Sequence, residues 1–218
     1  QVPARCAGCA LLLPPDSVTG AGDHTPHWCA SCLRLPLDGI DGCHAAVSYG
    51  WPWQACVDGF KFGAQTGWAT ALAGVMLRDP LVRQAIRTCD ALVPMPLHPL
   101  RLAERGYNQS LLLAQALRRC TDREEKLDRH QAVVRHDWLL RIRNTQAQSR
   151  LSLAQRLRNV RQAFAVAANQ SSQLHGKRVV LVDDVMTSGA SAQAAAQTLR
   201  TAGVHQLRVV VFARTEKP

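Results

Sequence analysis

Long apolar runs are missing from this chain of 218 residues. No segment has the roughly 20 consecutive apolar residues that a membrane-spanning helix needs. No basic segment followed by an apolar stretch opens the chain, so we expect no secretory leader and a cytoplasmic location. We therefore expect a protein that does not insert into a membrane.

Two common nucleotide-binding fingerprints are also missing. The chain contains neither GxxxxGK[ST] nor GxGxxG. The first supplies a phosphate-binding loop to P-loop NTPases and the second marks a dinucleotide-binding fold. We therefore expect a member of neither class.

Acidic residues and lysines are scarce. The chain has 26 basic and 16 acidic residues, a formal net charge of +10, and only 4 lysines, so 22 of the basic residues are arginines. The planar fork of arginine suits phosphate, which favours a polyanionic ligand. A GC-rich genome would also enrich arginine and alanine, so charge alone does not separate a pyrophosphate ligand from a nucleic acid.

Four of the eight cysteines form two CxxC pairs near the N-terminus. Cys6, Cys9, Cys29 and Cys32 have the spacing of a closed tetrahedral zinc site, for which we predict a structural role. Two redox pairs, four unligated thiols, or a histidine (His24 or His27) in place of one cysteine are the alternatives. We assign 1–42 to this zinc module and 43–218 to a second domain.

The rest of the chain predicts an α/β fold. A strand over 178–182, a helix over 191–201 and a strand over 207–213 form a βαβ unit, which indicates a parallel sheet. The remaining predictions are strands over 44–49, 90–93 and 164–166, helices over 54–62, 65–78, 108–119 and 146–162, and a loop over 169–176.

The segment VVLVDDVMTSGAS, residues 179–191, is the strongest sign of a ligand site. A buried strand runs into Asp183 and Asp184, whose carboxylates accept hydrogen bonds from vicinal sugar hydroxyls. The loop that follows combines hydroxyls, exposed amides and a helix start, which suits a phosphate. This loop consists of Thr187, Ser188, Gly189, Ala190 and Ser191. The alternative is a solvated strand end followed by a helix N-cap.

This segment and several others carry a family resemblance. VVLVDDVMTSGAS resembles the phosphoribosyl pyrophosphate (PRPP) motif of type I phosphoribosyltransferases. DALVPMPLHPLRLAERGYNQS and RNTQAQSRLSLAQRLRNVRQAF, with FKF at 60–62 and the four cysteines, resemble the ComF/GntX family of competence-related phosphoribosyltransferase-like proteins. The likeness runs in order along nearly the whole chain. The departures, Met95, Tyr107 and Ser188, remove no functional group.

The resemblance implies a type I phosphoribosyltransferase fold, with a parallel sheet flanked by helices and a hood. It implies that Asp183 and Asp184 bind the ribose hydroxyls and that 187–191 binds the 5′-phosphate. Arg105 joins the two aspartates as a catalytic candidate. Candidates for pyrophosphate, bound with Mg2+, are Pro96, Leu97, His98, Arg101, Arg105 and Lys61. The family's mobile arm corresponds to 143–159, with Arg143, Gln148, Arg156 and Asn159 as candidates.

Three functions fit this resemblance. One is an active phosphoribosyltransferase that transfers the pentosyl group of PRPP to an acceptor. Another is an adaptor for natural transformation that contacts incoming single-stranded DNA, a competence helicase or recombination proteins. The third is a PRPP-responsive regulator. We make no prediction of oligomeric state.

Overall fold

A computed structural model describes residues 4–14, 26–124, 132–144 and 162–216. The helices are α1 (Ala30–Arg34), α2 (Trp53–Phe62), α3 (Trp68–Met76), α4 (Pro80–Thr88), α5 (Pro99–Arg105), α6 (Gln109–Glu124), α7 (Ser171–Leu174) and α8 (Ala190–Thr201). The strands are β1 (Gly42–Ser48), β2 (Ala91–Pro94), β3 (Val133–Val134), β4 (Leu139–Arg141), β5 (Phe164–Val166), β6 (Arg178–Met186) and β7 (Gln206–Arg214).

Five strands form a central sheet in the order β1-β7-β6-β2-β3. Every neighbouring pair in it is parallel. The predicted βαβ unit is confirmed as β6, α8 and β7. Strands β4 and β5 pair antiparallel in a separate small sheet.

Both faces of the central sheet are buried because its strands are apolar at consecutive positions. Val179 and Leu181 of β6 face a core that includes α8 and the small sheet. Val180 and Val182 face a second core that includes α3, α4 and α6. The predicted parallel sheet flanked by helices is therefore confirmed.

Several predicted bounds were wrong. Strand β6 continues to Met186, through both aspartates, because β7 pairs with it as far as Arg214. The predicted loop over 169–176 contains α7, which buries Leu174. Helices α4 and α5 were not predicted. Most of the helix predicted over 146–162 lies outside the described residues.

The N-terminal segment has little regular structure. It contains an isolated bridge between Arg5 and Leu12 and the five-residue helix α1. A small core of cysteines and leucines includes Cys6, Cys9, Cys32 and Leu13. Over the described ranges, no helix is both long and apolar enough to cross a membrane.

Candidate functional site

The sheet changes direction between β2 and β6. These strands are neighbours, but the chain leaves β2 through α6 toward β3 and leaves β6 through α8 toward β7. Helices α6 and α8 pack on opposite faces. The carboxyl ends of β2 and β6 therefore border a crevice at a topological switch point, where open α/β sheets bind ligands.

Asp183 and Asp184 lie on β6 beside this crevice. Neighbouring side chains on a strand point to opposite sides, yet the first turn of α6 contacts both. The Ser110 hydroxyl donates to Asp183 Oδ1 at 2.8 Å, and Gln109 Nε2 donates to Asp184 Oδ1 at 3.4 Å. Ser110 and Gln109 were not predicted as site residues, although both lie in the RGYNQS segment that carries the family resemblance.

The protonation of the pair is strongly perturbed. Burial, followed by the negative charge of Asp184, raises the pKa of Asp183 to about 7. The charge of Lys61 and the hydrogen bond from Ser110 oppose this rise. Two adjacent carboxylates out of water repel each other, so a cation or a proton at the site is favoured.

Lys61 supplies part of the balancing charge. Its Nζ lies 2.7 Å from Asp184 Oδ2, and Asp184 is only 2% exposed. Lys61 is thus paired with one of the two candidate carboxylates, and its contact with a ligand stays a prediction. Because Lys61 is on α2, this ion pair brings the C-terminal turn of α2 to the carboxylate pair.

Arg105 is connected to the carboxylates through a glutamine. Its Nη1 donates to Gln109 Oε1 at 2.5 Å, and Gln109 bonds Asp184. The guanidinium also lies 5.2 Å from the ring centroid of Phe62, a cation–π distance. Arg105 thus lies one side chain away from the aspartates instead of contacting them.

The predicted phosphate loop follows β6 and opens α8. Gly189 is the N-cap residue with a φ of 81°, a left-handed conformation that glycine adopts readily. The Ser188 hydroxyl accepts from the Ala190 amide at 3.4 Å. Thr187 is exposed, and Ser191 is partly exposed in the first turn of α8. The start of this twelve-residue helix concentrates amides and positive potential at the crevice.

The candidates for pyrophosphate follow β2, on the other side of the crevice. Pro96 is buried, Leu97 is partly exposed, and His98 caps α5 by accepting from the Leu100 amide at 3.3 Å. Arg101 lies in α5. The turn is fixed by Asn108, whose Nδ2 donates to the Met95 carbonyl at 3.1 Å.

Arg141, on β4, is a further cation that the sequence did not single out. Burial lowers its pKa, as does the charge of Arg101, while Asp183 opposes the change. Its guanidinium lies 5.6 Å from the ring centroid of Phe164. The small sheet therefore contributes positive charge near the carboxylates.

The predicted mobile arm is largely outside the described residues, including Gln148, Arg156 and Asn159. Arg143, at the edge of this segment, is exposed and donates to Gln162 Oε1 at 2.9 Å. It is not among the side chains that contact the two aspartates.

The four predicted metal ligands converge. The sulfur atoms of Cys6, Cys9, Cys29 and Cys32 all lie within 4.8 Å of one another. Tetrahedral zinc–thiolate bonds of about 2.3 Å place sulfurs about 3.8 Å apart. The Cys9 and Cys29 sulfurs are 3.7 Å apart, so the set fits such an ion. His27 is described and is not in the cluster, and His24 lies outside the described residues.

The thiols of the cluster perturb one another. The hydrogen bond between the Cys6 and Cys9 side chains lowers the pKa of Cys6 and raises that of Cys9. Burial raises the pKa of Cys32 to about 12. The Cys29 amide also donates to Cys6 Sγ at 3.2 Å, a bond that stabilises a thiolate. By contrast, Cys43 and Cys89 lie in the two sheet cores, where burial raises the pKa of each to about 12.

Comparison with known proteins agrees with this geometry. Residues 126–218 match the phosphoribosyl transferase domain model. Over nearly its full length, the chain is similar to competence protein F of Haemophilus influenzae, with 29% identity covering 96% of this chain and 90% of that protein. It is also 29% identical to the DNA utilization protein YhgH of Escherichia coli K12, covering 94% of this chain and 84% of that protein.

A shorter similarity links the chain to competence protein ComFC of Bacillus subtilis, with 34% identity over 51% of this chain and 39% of that protein. The parallel sheet, the site at its switch point and the domain match define a protein with a type I phosphoribosyltransferase-like domain. Together with the four-cysteine segment, the similarity to competence protein F over nearly the whole chain supports the resemblance to the ComF family.

Proposed function

We propose that this protein binds PRPP with Mg2+ at the crevice between β2 and β6. The observation that carries the proposal is the placement of a carboxylate pair beside an anion-binding loop on one strand end. Asp183 and Asp184 offer acceptors for the two ribose hydroxyls. The amides at 187–191 offer donors to the 5′-phosphate.

The chemistry that suits this site is displacement of pyrophosphate from the anomeric carbon. The bond from that carbon to pyrophosphate breaks while a bond to the acceptor forms, through an oxocarbenium-like transition state. In this proposal the carboxylates hold the ribose, and Arg101 and Arg105, both on α5, stabilise the charge of the departing pyrophosphate. Asp183 and Asp184 would help to hold Mg2+, an ion that prefers carboxylate and phosphate oxygens, and the ion would supply further shielding of that charge.

Calorimetry with PRPP and Mg2+ tests the binding assignment. The double variant Asp183→Asn, Asp184→Asn is expected to bind at least about 100-fold more weakly than wild type, because two charge-assisted contacts are lost. Asp122→Asn is the matched control, since Asp122 forms a surface ion pair with Arg118 on α6. Equal affinity of wild type and the double variant rejects the ribose assignment.

Turnover is tested by a screen of nucleobases and amines for PRPP-dependent release of pyrophosphate. Release that requires one acceptor and the aspartate pair identifies an active phosphoribosyltransferase. Binding without release for any acceptor favours a regulator or adaptor that senses PRPP.

We further propose that the protein acts in competence, through the handling of incoming single-stranded DNA. The relatives named competence protein F and DNA utilization protein YhgH support this setting, as does the net charge of +10. Anisotropy with a labelled single-stranded oligonucleotide should show affinity that falls steeply with salt. No binding at low salt rejects direct DNA contact and leaves competence proteins, including a helicase, as partners.

For the N-terminal segment, we propose a structural zinc module over 1–42 joined to a phosphoribosyltransferase-like domain over 43–218. Four thiolates close the coordination sphere, so the ion has no open position for catalysis. Metal analysis should find about one zinc per chain. Folded protein without bound metal refutes the zinc assignment.

A further inference from the structure

Arg214 is a buried arginine at the end of β7, with only 2% of its surface exposed. A buried charge must be hydrogen-bonded, and this guanidinium donates to four backbone carbonyls. Its Nε donates to Cys9 at 2.8 Å. Its Nη1 donates to Met186 at 3.2 Å, to Thr215 at 2.6 Å and to Thr187. One side chain thus connects the four-cysteine cluster with the loop after β6.

These bonds orient the peptides of the loop. The Met186 and Thr187 carbonyls both point toward Arg214, and Met186 also accepts from the Thr215 amide at 3.0 Å. In a trans peptide the amide points opposite to its carbonyl. The amides of Thr187 and Ser188 therefore point away from Arg214, next to the start of α8, which is the arrangement an anion cradle requires.

The other end of the connection depends on the cysteines. Cys9 is itself a member of the cluster, so closing the cluster fixes the carbonyl that accepts from Arg214 Nε. The N-terminal segment reaches the loop at a second point, where Leu37 packs against Gly189. A Cβ added at Gly189 would lie 3.1 Å from Leu37 Cδ1. The cluster and the loop are therefore two sides of one packed junction.

We propose that Arg214 is a positioning residue that orients the amides of 187–191. Through Arg214, the affinity of these amides for a phosphate group depends on the four-cysteine cluster. The identity of the ligand as PRPP rests on the function proposed above. The orientation of the amides does not rest on that function, and it can be measured without a ligand.

The first test compares Arg214→Lys with Arg208→Lys. Lysine keeps the positive charge but cannot hold four separate carbonyls in fixed directions. Arg208 lies on the same strand near its other end and serves as the matched control. We expect Arg214→Lys to weaken PRPP binding about tenfold or more, as for the loss of a charge-assisted hydrogen bond. Arg208→Lys should bind like wild type.

A readout on the free protein separates positioning from plain stabilisation. The amide NMR shifts of Thr187, Ser188 and Gly189 should move in Arg214→Lys and stay in place in Arg208→Lys. A residue that only stabilises the fold would lower the unfolding midpoint without changing the shifts or the affinity of the folded protein. Unchanged shifts and affinity in folded Arg214→Lys overturn the proposal.

A variant of the four-cysteine cluster gives an independent test of the coupling, which can still be carried out if Arg214→Lys does not fold. Cys32→Ser removes one thiolate from α1, at a residue that is not among those whose carbonyls accept from Arg214, and titration with zinc measures the loss of metal binding. We expect the same three amides to shift and the affinity to fall. Loss of metal without either change overturns the coupling. If wild type binds inorganic phosphate but not PRPP, the proposed function is wrong. The positioning role of Arg214 is then still tested by the affinity for phosphate and by the amide shifts.

Discussion

Asp183 makes the stability of the free protein depend on pH. Its pKa is raised to about 7, while the same carboxyl in the unfolded chain titrates near about 4. The folded protein therefore holds a proton that the unfolded chain has lost between these values, and stability falls as pH rises through that window.

We expect Asp183→Asn to remove this penalty. The free energy of unfolding of Asp183→Asn, relative to that of wild type, should increase by about 1–3 kcal/mol between about pH 5 and about pH 8. Urea denaturation at both pH values measures the difference. An advantage that does not change with pH contradicts the raised pKa of Asp183.

Lys61 compensates the buried charge of Asp184, with 2.7 Å between the charged atoms. Removing one partner of a buried pair costs about 3–5 kcal/mol, and the partial exposure of Lys61 reduces this to about 2–3 kcal/mol for Lys61→Met. Urea denaturation near neutral pH measures the loss. Lys177→Met, at an exposed position, is the control. Equal stability of the two variants shows that the pair is not needed in the free protein.

At the scale of elements, the turn between β6 and α8 requires a glycine. Gly189→Ala introduces a left-handed alanine and a Cβ contact with Leu37. Gly176 has a similar φ of 73° with nothing within 4 Å, so Gly176→Ala carries the backbone strain alone. Both should lose about 1–2 kcal/mol of stability in thermal unfolding.

Only Gly189→Ala should also weaken PRPP binding, because only its turn carries the candidate phosphate amides. Calorimetry compares the PRPP affinities of the two variants, which share the same kind of backbone strain. Equal affinities would show that the turn does not contribute to the ligand site.

Elements with a strong local pattern were predictable from the sequence. The apolar run of β6 and the alanine-rich helix α8 were found, and with them both aspartates and the loop. Helices α4 and α5 were missed, although each begins with a capping residue followed by proline, as in Asp79-Pro80, where the carboxylate accepts from the Leu81 amide at 2.8 Å. That signal was present in the sequence and was not used.

Contacts between distant segments could not be predicted in this way. Lys61 meets Asp184 across 123 residues, and Arg214 meets Cys9 across 205. No spacing rule connects such pairs, because the packing of several elements brings them together. The sequence therefore singled out Asp183 and Asp184 but not Ser110 and Gln109, whose side chains bond to them.

At the scale of the whole molecule, residues 214–216 contact the N-terminal segment. Arg214 reaches the four-cysteine cluster, and two residues later Glu216 accepts from Arg5 at 2.8 Å, from Ser48 at 2.8 Å and from the Leu12 amide at 3.0 Å. The N-terminal segment is thereby held against β1 and β7. Whatever ligand the loop binds, its site adjoins a junction between residues 5–12 and residues 214–216.

The Glu216 carboxylate should make this junction sensitive to acid. Burial opposes its ionisation, but the Leu12 amide and the Arg5 and Ser48 side chains outweigh burial and lower its pKa. A depressed pKa stabilises the fold above the unfolded value of about 4.3, and the contribution disappears as pH falls through the folded pKa. We expect Glu216→Gln to lose about 1–2 kcal/mol near neutral pH, since a charge-assisted network is weakened. The loss should shrink as pH falls through the lowered pKa of Glu216, because the wild-type carboxylate then becomes protonated as well. Urea denaturation across this range measures the effect, with the exposed Glu104→Gln as control. A loss that persists in acid would assign the role of Glu216 to packing instead of charge, and the junction would then hold the N-terminal segment equally well at every pH.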